Sequence, residues 1–263
     1  MEWREVLGEY DRQMRRGAVA DGAGARVERA GGVVRQVGGG AHTWAGVLWS
    51  DLDEDTADAA IAAQTAWLSG PEGAGREFEW KLYSHDRPAD LGDRLRRAGF
   101  VPEAPETLMV AEVAALATEV RLPGGVRLEP VTDAAGVDLV AAVHERAFGT
   151  SAARLRDRLI DQLPQTADGT LSIVLALAGD VPVCSARMEI CPGTDFAGLW
   201  GGGTVAEWRG RGIYRALVAH RAALAAARGI RYLQVDASDD SRPILQRLGF
   251  TALTTTTPYL VQG

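Results

Sequence analysis

The chain has 263 residues, which is enough for two domains or one large domain. With 46% hydrophobic and 24% charged residues it has the composition of a globular protein, which argues against a fibrous or largely disordered chain. The net charge of −7 argues against a nucleic-acid-binding surface over the whole molecule. No apolar run approaches the roughly 18 residues of a membrane span, and the first residues lack the order of a signal peptide. We therefore expect a cytoplasmic protein with no nucleic-acid or membrane partner.

The first half of the chain predicts alternating helices and strands. Periodicity indicates helices over 3–16, 53–69 and 88–98, and strands over 26–37, 43–49, 78–83 and 107–113. The pattern breaks at Leu122-Pro123-Gly124-Gly125, where a new strand follows. This break divides the chain into two predicted domains, 1–120 and 121–263.

The second half predicts a sheet with helices packed on it. A strand over 126–129 precedes helices over 134–148 and 152–163. Two strands over 171–178 and 181–191 flank Gly179-Asp180, a two-residue hairpin turn. A strand over 196–205, a glycine–arginine loop, a helix over 212–228 and strands over 231–235 and 251–260 complete the domain. Such a mixture predicts the α+β class.

A short repeat links the two halves. Residues 95–100 (Leu-Arg-Arg-Ala-Gly-Phe) return as residues 245–250 (Leu-Gln-Arg-Leu-Gly-Phe), at an offset of 150 residues. In each copy the glycine is placed to end a helix in the left-handed conformation, before a strand. The repeat indicates two copies of one fold.

Charge and chemistry-bearing residues narrow the function classes. The first 120 residues carry 13 basic and 21 acidic residues, whereas the rest carry 15 and 14, so an anionic ligand is expected in the second half. The two cysteines, Cys184 and Cys191, and the four histidines show no metal-ligand spacing and no catalytic-triad pattern. We therefore expect no metal site, and we interpret His144 and His220 as structural.

The most informative segment is 204–217, a strand followed by a glycine loop and an alanine-rich helix. Free N–H groups at a helix N-terminus bind anions, Gly210 and Gly212 allow close approach, and three arginines add positive charge. The segment is neither a Walker loop nor a dinucleotide-binding loop, because the residues that define those motifs are missing. It predicts a phosphate site, although a plain helix start would give a similar pattern.

Residues 209–214 (Arg-Gly-Arg-Gly-Ile-Tyr) resemble the Q/R-x-x-G-x-G/A pyrophosphate loop of the GNAT superfamily of N-acetyltransferases. Residues 238–250 resemble the second signature of that family, a helix ending in Leu-Gly-Phe beside the pantetheine arm of acetyl-CoA. Tyr214 and Leu245 depart from the family pattern. The resemblance covers residues 126–260. It implies two GNAT-like domains, each a mixed, mostly antiparallel sheet flanked by helices, with the N-terminal copy degenerate.

The resemblance also implies acetyl-CoA as cosubstrate and a set of contacts to it. In the family, a bulge splays the strand before the loop away from its neighbour, and the thioester lies in that gap. The implied binding residues are Thr204, Val205, Arg209, Gly210, Arg211, Gly212, Ile213, Tyr214, Arg215, Ser238 and Ser241. The carboxylates of 51–55 would repel phosphate at the corresponding place of the first half, so we expect one cofactor site per chain.

For the reaction, the resemblance implies direct attack of an amine on the thioester. Glu189 and Asp236 are the candidate general bases. Glu189 lies on the strand that pairs toward the loop strand, and Asp236 ends the strand after the loop helix, so either could act directly or through water. Leu245 stands where many family members place a proton-donating tyrosine, which leaves Tyr232, Tyr259 or water for that role. The expected acceptor is the primary amine of a small molecule, and the acidic first half suits a cationic one.

Two alternatives remain open at this point. A non-catalytic module that binds CoA is suggested by Leu245 and by the lack of an evident base. Acetylation of a protein N-terminus or a lysine fits the same loop. We expect a monomer or a homodimer.

Overall fold

The structure of the chain is a computed structural model that describes residues 3–40 and 42–263. It divides into two compact units. The first comprises Met1–Met109, Asp236–Pro243 and Ala252–Gly263, and the second comprises Val110–Val235 and Ile244–Thr251. The units are therefore not the contiguous segments 1–120 and 121–263, because the last strand packs with the N-terminal residues.

The first unit opens with helix α1 (Trp3–Tyr10), which continues as a π-helical stretch over Asp11–Arg16. The strands are β1 (Ala25–Ala30), β2 (Val33–Gly38), β3 (Gly46–Ser50), β4 (Glu77–Tyr83), β5 (Val101–Pro102) and β6 (Glu106–Glu112), and the last three residues of β6 belong to the second unit. Helices α2 (Ala57–Leu68) and α3 (Leu91–Arg97) lie between them in the chain. The predicted strand over 26–37 is in fact the hairpin β1–β2, because Gly31 and Gly32 both adopt positive φ and turn the chain.

The second unit contains strands β7 (Val126–Pro130), β8 (Leu171–Ala178), β9 (Val181–Ile190), β10 (Phe196–Thr204) and β11 (Tyr232–Ala237). Its helices are α4 (Ala134–Phe148), α5 (Ala153–Gln162), α6 (Pro164–Asp168), α7 (Ile213–Ala227) and α8 (Arg242–Arg247), and strand β12 (Thr251–Gln262) follows. Only the short α6 was not predicted from the sequence.

Both units use the same sheet pattern. In the first, the strand order is β1-β2-β3-β4-β12, with β3–β4 parallel and the other pairs antiparallel. In the second, the order is β7-β8-β9-β10-β11, with β10–β11 parallel and the other pairs antiparallel. This arrangement confirms the predicted α+β class with mostly antiparallel sheets.

The repeated Leu-Gly-Phe segments have the same local structure. Phe100 N–H donates to Leu95 O at 3.0 Å, and Phe250 N–H donates to Leu245 O at 3.0 Å. Gly99 and Gly249 have φ of 93° and 102°, so each closes its helix in the left-handed region. The leucine and phenylalanine of each copy are buried.

Each unit has its own apolar core. In the first, Phe78, Trp80, Leu91, Leu95 and the C-terminal Tyr259 belong to one buried cluster. In the second, the core is formed by α4, α5 and α7 residues against β8 and β9. No helix in the described part of the chain is long and apolar enough to cross a membrane.

Candidate functional site

The glycine–arginine loop joins the end of β10 to the start of α7. A short 3-10 turn over Ala206–Trp208 leaves the strand, and Gly210 and Gly212 then adopt φ of 73° and 82°. Residues with a side chain rarely adopt these angles, so both glycines are required by the backbone. Gly212 is the residue from which α7 begins.

The N-terminus of α7 has the features of an anion site. The first helical hydrogen bond runs from Ala216 N–H to Gly212 O, so the N–H groups of the three residues between them have no acceptor within the helix. A Cβ on Gly210 would meet no atom within 4 Å, which leaves open space beside these donors. The helix dipole adds partial positive charge at this end. Such a site suits an anionic group such as a phosphate.

The three arginines of the loop divide into two groups. Arg211 and Arg215 are exposed, and the Arg211 guanidinium lies 4.5 Å from the ring centre of Trp208. Arg209 instead donates from Nε to Thr204 O (3.1 Å) and from Nη2 to Ala147 O (2.9 Å). It thereby joins the last turn of α4 to the end of β10. Its expected role as a phosphate ligand stays a prediction beside this structural one.

Strand β10 carries a bulge before the loop. Trp200 pairs with Arg187 and Gly203 with Ser185, so β10 has one extra residue within Gly201–Gly202. On its other side, β10 pairs with β11 only from Phe196 to Gly198, although it continues to Thr204. The two parallel strands therefore part after Gly198. The bulge and the gap are the features that the family resemblance implied.

Thr204 and Val205 differ from the expectation that they offer backbone groups to the pantetheine arm. Val205 N–H donates to Val183 O, and Val205 O accepts from Trp208 N–H. The carbonyl of Thr204 is bound by Arg209, and its hydroxyl lies 3.0 Å from Cys184 Sγ. These groups serve the sheet and the turn. The edge of β10 that faces the gap lies earlier, over 199–203.

Ile213 and Tyr214 face inward from the first turn of α7. Ile213 is 1% exposed and belongs to the core, so only its N–H can serve a ligand. The Tyr214 ring lies against the bulge, because a Cβ on Gly202 would stand 2.7 Å from its Cε2. Burial raises the pKa of the Tyr214 phenol. Tyr214 therefore supports the bulge.

Ser238 and Ser241 belong to the first unit, whereas the glycine–arginine loop belongs to the second. Their hydroxyls lie 3.2 Å apart, and Ser241 Oγ also donates to Ser238 O. They form the turn that leads into α8.

The two expected general bases are both held by cations. Glu189 Oε1 accepts from Arg187 Nε at 3.1 Å and lies 3.9 Å from Arg158 Nη2. Asp236 is 1% exposed and forms an ion pair with Lys81, the only lysine of the chain. Each carboxylate is held by a cation through one oxygen, and Asp236 Oδ1 is buried with no hydrogen-bond partner among the described residues. Their roles as general bases stay predictions.

The expected proton donors are packed in the cores. Tyr232 stacks on Phe196 with ring centres 5.0 Å apart, and Tyr259 lies against Gly92 in the first unit. Leu245, at the position of the family tyrosine, is fully buried and contributes packing.

The first unit repeats the bulge and the gap but fills both. Val34 pairs with Trp49 and Arg35 with Val47, so Leu48 is an extra residue on β3, and β3 pairs with β4 at only two positions. Arg15 Nε donates to Leu48 O at 3.0 Å, and the guanidinium lies 3.8 Å from the Tyr83 ring centre. The positive charge of Arg15 is neutralised by Asp86, whose two carboxylate oxygens each lie 2.8 Å from Arg15 Nη2.

In the first unit, the place that corresponds to the expected phosphate site is occupied by a side chain of the unit itself. Asp53 Oδ1 accepts from the N–H groups of Asp55 and Thr56 and from the Thr56 hydroxyl, at 2.6 to 3.1 Å. A carboxylate therefore takes the donors that precede α2. This self-occupied arrangement supports the expectation of one cofactor site per chain.

Sequence reasoning missed two residues beside the bulge. Arg221 is 1% exposed, donates to Arg187 O at 3.2 Å and has a buried Nη2 without a hydrogen-bond partner among the described residues. His144 Nδ1 is also buried and has no hydrogen-bond partner among the described residues. A helical histidine or arginine in a sequence carries no sign of this, because the partners come from distant strands. No group of His, Cys, Asp and Glu in residues 3–40 and 42–263 could hold a metal ion.

Comparisons with known proteins agree with this geometry. Residues 138–250 match the model of the acetyltransferase (GNAT) family. A GCN5-related N-acetyltransferase from Kribbella flavida superposes with a TM-score of 0.68 at 18% identity, covering 99% of this chain and 94% of that chain. One from Sphaerobacter thermophilus gives 0.59 at 14% identity, covering 98% and 84%.

A tandem GNAT protein from the clavulanic acid biosynthesis pathway, solved without acetyl-CoA, has a TM-score of 0.59 at 13% identity, covering 92% of this chain and 84% of that chain. No curated protein matches the sequence. The family match and the shared fold confirm the predicted tandem GNAT architecture.

Proposed function

Because residues 138–250 match the model of the acetyltransferase (GNAT) family, we propose that the chain transfers an acetyl group from acetyl-CoA to a primary amine of a small molecule. The amine nitrogen attacks the thioester carbonyl carbon in a ternary complex. The new C–N bond forms, the C–S bond breaks, and CoA leaves. The amine loses one proton, and the departing thiolate gains one from water.

The observation that carries this proposal is the gap between β10 and β11, which leads directly into the glycine–arginine loop. Past Gly198, the β10 edge facing β11 has no ladder partner there among the described residues. Such an edge can pair with the amide groups of a pantetheine arm. Its N–H groups are also fixed donors for the oxyanion that develops at the thioester, and preorganised donors of this kind stabilise acyl-transfer transition states.

The loop supplies the second half of the binding site. The free N–H groups of the first turn of α7 and the exposed Arg211 and Arg215 face a ligand with compensating charge. Gly202 of the bulge and Gly210 of the loop belong to one compact unit and are eight positions apart in the chain. One extended ligand with an amide-bearing arm and a pyrophosphate matches this order of features.

Acetyl-CoA binding is tested by calorimetry on the wild-type protein and two variants. Gly210→Asp places a carboxylate among the phosphate donors, at a Coulomb cost of about 1–4 kcal/mol for charges 4 Å apart. We expect its affinity to fall at least about tenfold. Gly179→Asp is the matched control, because Gly179 also has positive φ and open space but lies in the β8–β9 turn. Equal affinities for all three proteins would show that the loop does not hold the pyrophosphate.

The transfer itself is tested by release of free CoA thiol. Acetyl-CoA is incubated with small primary amines, including cationic ones, and in parallel with lysine-containing and free N-terminal peptides. We expect amine-dependent release with the small molecules. Release only with peptides would establish protein acetylation instead, and binding without release under every condition would support the non-catalytic module.

A further inference from the structure

A small pocket lies beside the bulge, within the second unit. It is lined by residues of helices α4 and α5, of strands β8 and β9 and by the bulge residue Gly201, and its walls are mostly apolar. Two side chains in its lining carry nitrogen atoms, His144 of α4 and Arg187 of β9. A Cβ on Gly201 would stand 3.1 Å from Arg187 Nη1, so the pocket reaches the strand that borders the gap.

The His144 ring is arranged to keep one nitrogen available. Its Nε2 lies 3.4 Å from Thr150 Oγ1, and its ring centre lies 4.8 Å from that of Phe148. Its Nδ1 is buried and has no hydrogen-bond partner in the described part of the chain. If the proton sits on Nε2 and points to the threonine, Nδ1 keeps a lone pair. A buried polar atom without a partner costs free energy, which is recovered when a ligand supplies a donor.

The surroundings of His144 favour the neutral ring. Desolvation is the main cause that lowers the pKa of His144, and the Arg187 guanidinium lowers it further. Glu145, its neighbour on α4, acts in the opposite direction. Arg187 is itself held by Glu189, which also faces Arg158 of α5. A neutral imidazole at pH 7 can accept a proton, whereas the two carboxylates considered from the sequence are engaged by cations.

We propose that His144 is the general base of the reaction: Nδ1 takes the proton that the acceptor amine loses as its nitrogen bonds to the thioester carbonyl carbon. The imidazolium then returns this proton to water, and the thiolate of CoA takes one from water. This inference rests on the proposed function. The pocket lined by His144, Ser185, Arg187 and Gly201 has room for about one water-sized group, and it would take the amine nitrogen of the acceptor.

The kinetic test compares His144→Asn with His220→Asn. Asparagine places an amide near the position of Nδ1 without its basicity. His220 is the matched control, because it is also a partly buried helical histidine whose pKa burial lowers, but it does not line the pocket. We expect His144→Asn to lower kcat by about 10²–10⁴-fold, with unchanged acetyl-CoA affinity. The acid limb of the wild-type kcat profile, below pH 6.5, should disappear. His220→Asn should leave both kcat and the acid limb of its pH profile unchanged.

A second readout does not depend on turnover. Nitrogen-15 NMR of the four histidines, assigned with the two variants, should show His144 protonated on Nε2 with a pKa below 6.5. A proton on Nδ1 of the neutral ring would overturn the proposal even if no acceptor is found. So would an unchanged kcat–pH profile in His144→Asn. A bare Nδ1 together with no acetyl transfer to any amine would instead count against the proposed function.

Discussion

The side chains of Lys81 and Asp236 form an ion pair and are 17% and 1% exposed. The carboxyl groups of Glu79 and Glu106 interact with both members of the pair and complete a cluster. Removing one partner of such a pair typically costs about 3–5 kcal/mol, because the other charge is left buried. Tyr10 and Tyr83 lie nearby with their hydroxyls 3.1 Å apart, and burial raises the pKa of both phenols. The cluster therefore serves the stability of the first unit.

Glu106 belongs to this cluster and gives the unit a pH-dependent stability. Desolvation, followed by the charge of Asp236, raises its pKa from 4.5 to about 7. Between these values the unfolded chain loses the proton while the folded chain keeps it, so the free energy of unfolding falls as pH rises. Glu106→Gln removes the group that titrates, and with it this fall in the free energy of unfolding.

We therefore expect Glu106→Gln to raise the midpoint of thermal unfolding by a few degrees at pH 8 and little at pH 4.5. Scanning calorimetry at both values measures the difference. Glu119→Gln is the control, since Glu119 is exposed and its pKa is lowered by Arg121. A gain at pH 8 no larger than that at pH 4.5 would contradict the assignment of Glu106.

At the scale of residues, the sequence singled out Gly210 and Gly212 because glycine allows an anion to approach closely, and the structure adds that both have positive φ. It could not predict the partners of charged groups. Lys81 and Asp236 are 155 positions apart, and Arg209 looks like its two neighbours in the loop although it binds backbone carbonyls. Burial of polar atoms, as at His144 and Arg221, is decided by distant strands.

The bulge in β10 is held from one side by Tyr214, and this contact explains a glycine. Gly202 has no positive φ, so its backbone does not require glycine. Its Cβ position is instead taken by the Tyr214 ring. The large side chain of Tyr214 therefore fits the space that Gly202 leaves in the strand.

Gly202→Ala should destabilise the second unit by about 1–3 kcal/mol, as overpacking of a tight site does. Truncating the ring with Tyr214→Leu should relieve part of that cost, so a double-mutant cycle measured by urea unfolding should show coupling. Gly124→Ala, where the added Cβ meets no atom within 4 Å, is the control. Additive effects of the two changes would show that the ring does not set the bulge.

At the scale of elements, most helices and strands were predictable because their apolar periodicity is strong. The hairpin β1–β2 was missed, although Gly31-Gly32 between two strand-like runs has the composition of a two-residue turn. The bulge was implied by the family resemblance, but the sequence alone does not determine which residue is extra in the ladder.

The whole molecule is built so that the first unit takes its last strand from the far end of the sequence. Seven residue pairs, from Thr256–Tyr83 to Gln262–Glu77, join β12 to β4. Thr256 is fully buried and Tyr259 is 4% exposed. Hydrophobic periodicity identifies β12 as a strand, but it contains no information about which sheet the strand joins.

Deleting residues 252–263 removes most of β12. The first unit should therefore unfold, although all of its N-terminal residues are still present. Five of the seven tryptophans, Trp3, Trp44, Trp49, Trp67 and Trp80, lie in that half, so their fluorescence should shift to the red. Adding a synthetic peptide of residues 251–263 should restore it. Native fluorescence and protease resistance in the truncated protein would contradict this expectation.

The late position of β12 has a consequence for synthesis. Residues 3–109 leave the ribosome long before β12, the strand that completes their sheet. The edge of β4 that pairs with β12 therefore has no partner while the second unit is being synthesised. Chains usually fold from the N-terminal domain onward, but here the first unit closes last. Nascent chains paused before residue 252 should therefore be those that bind chaperones and aggregate.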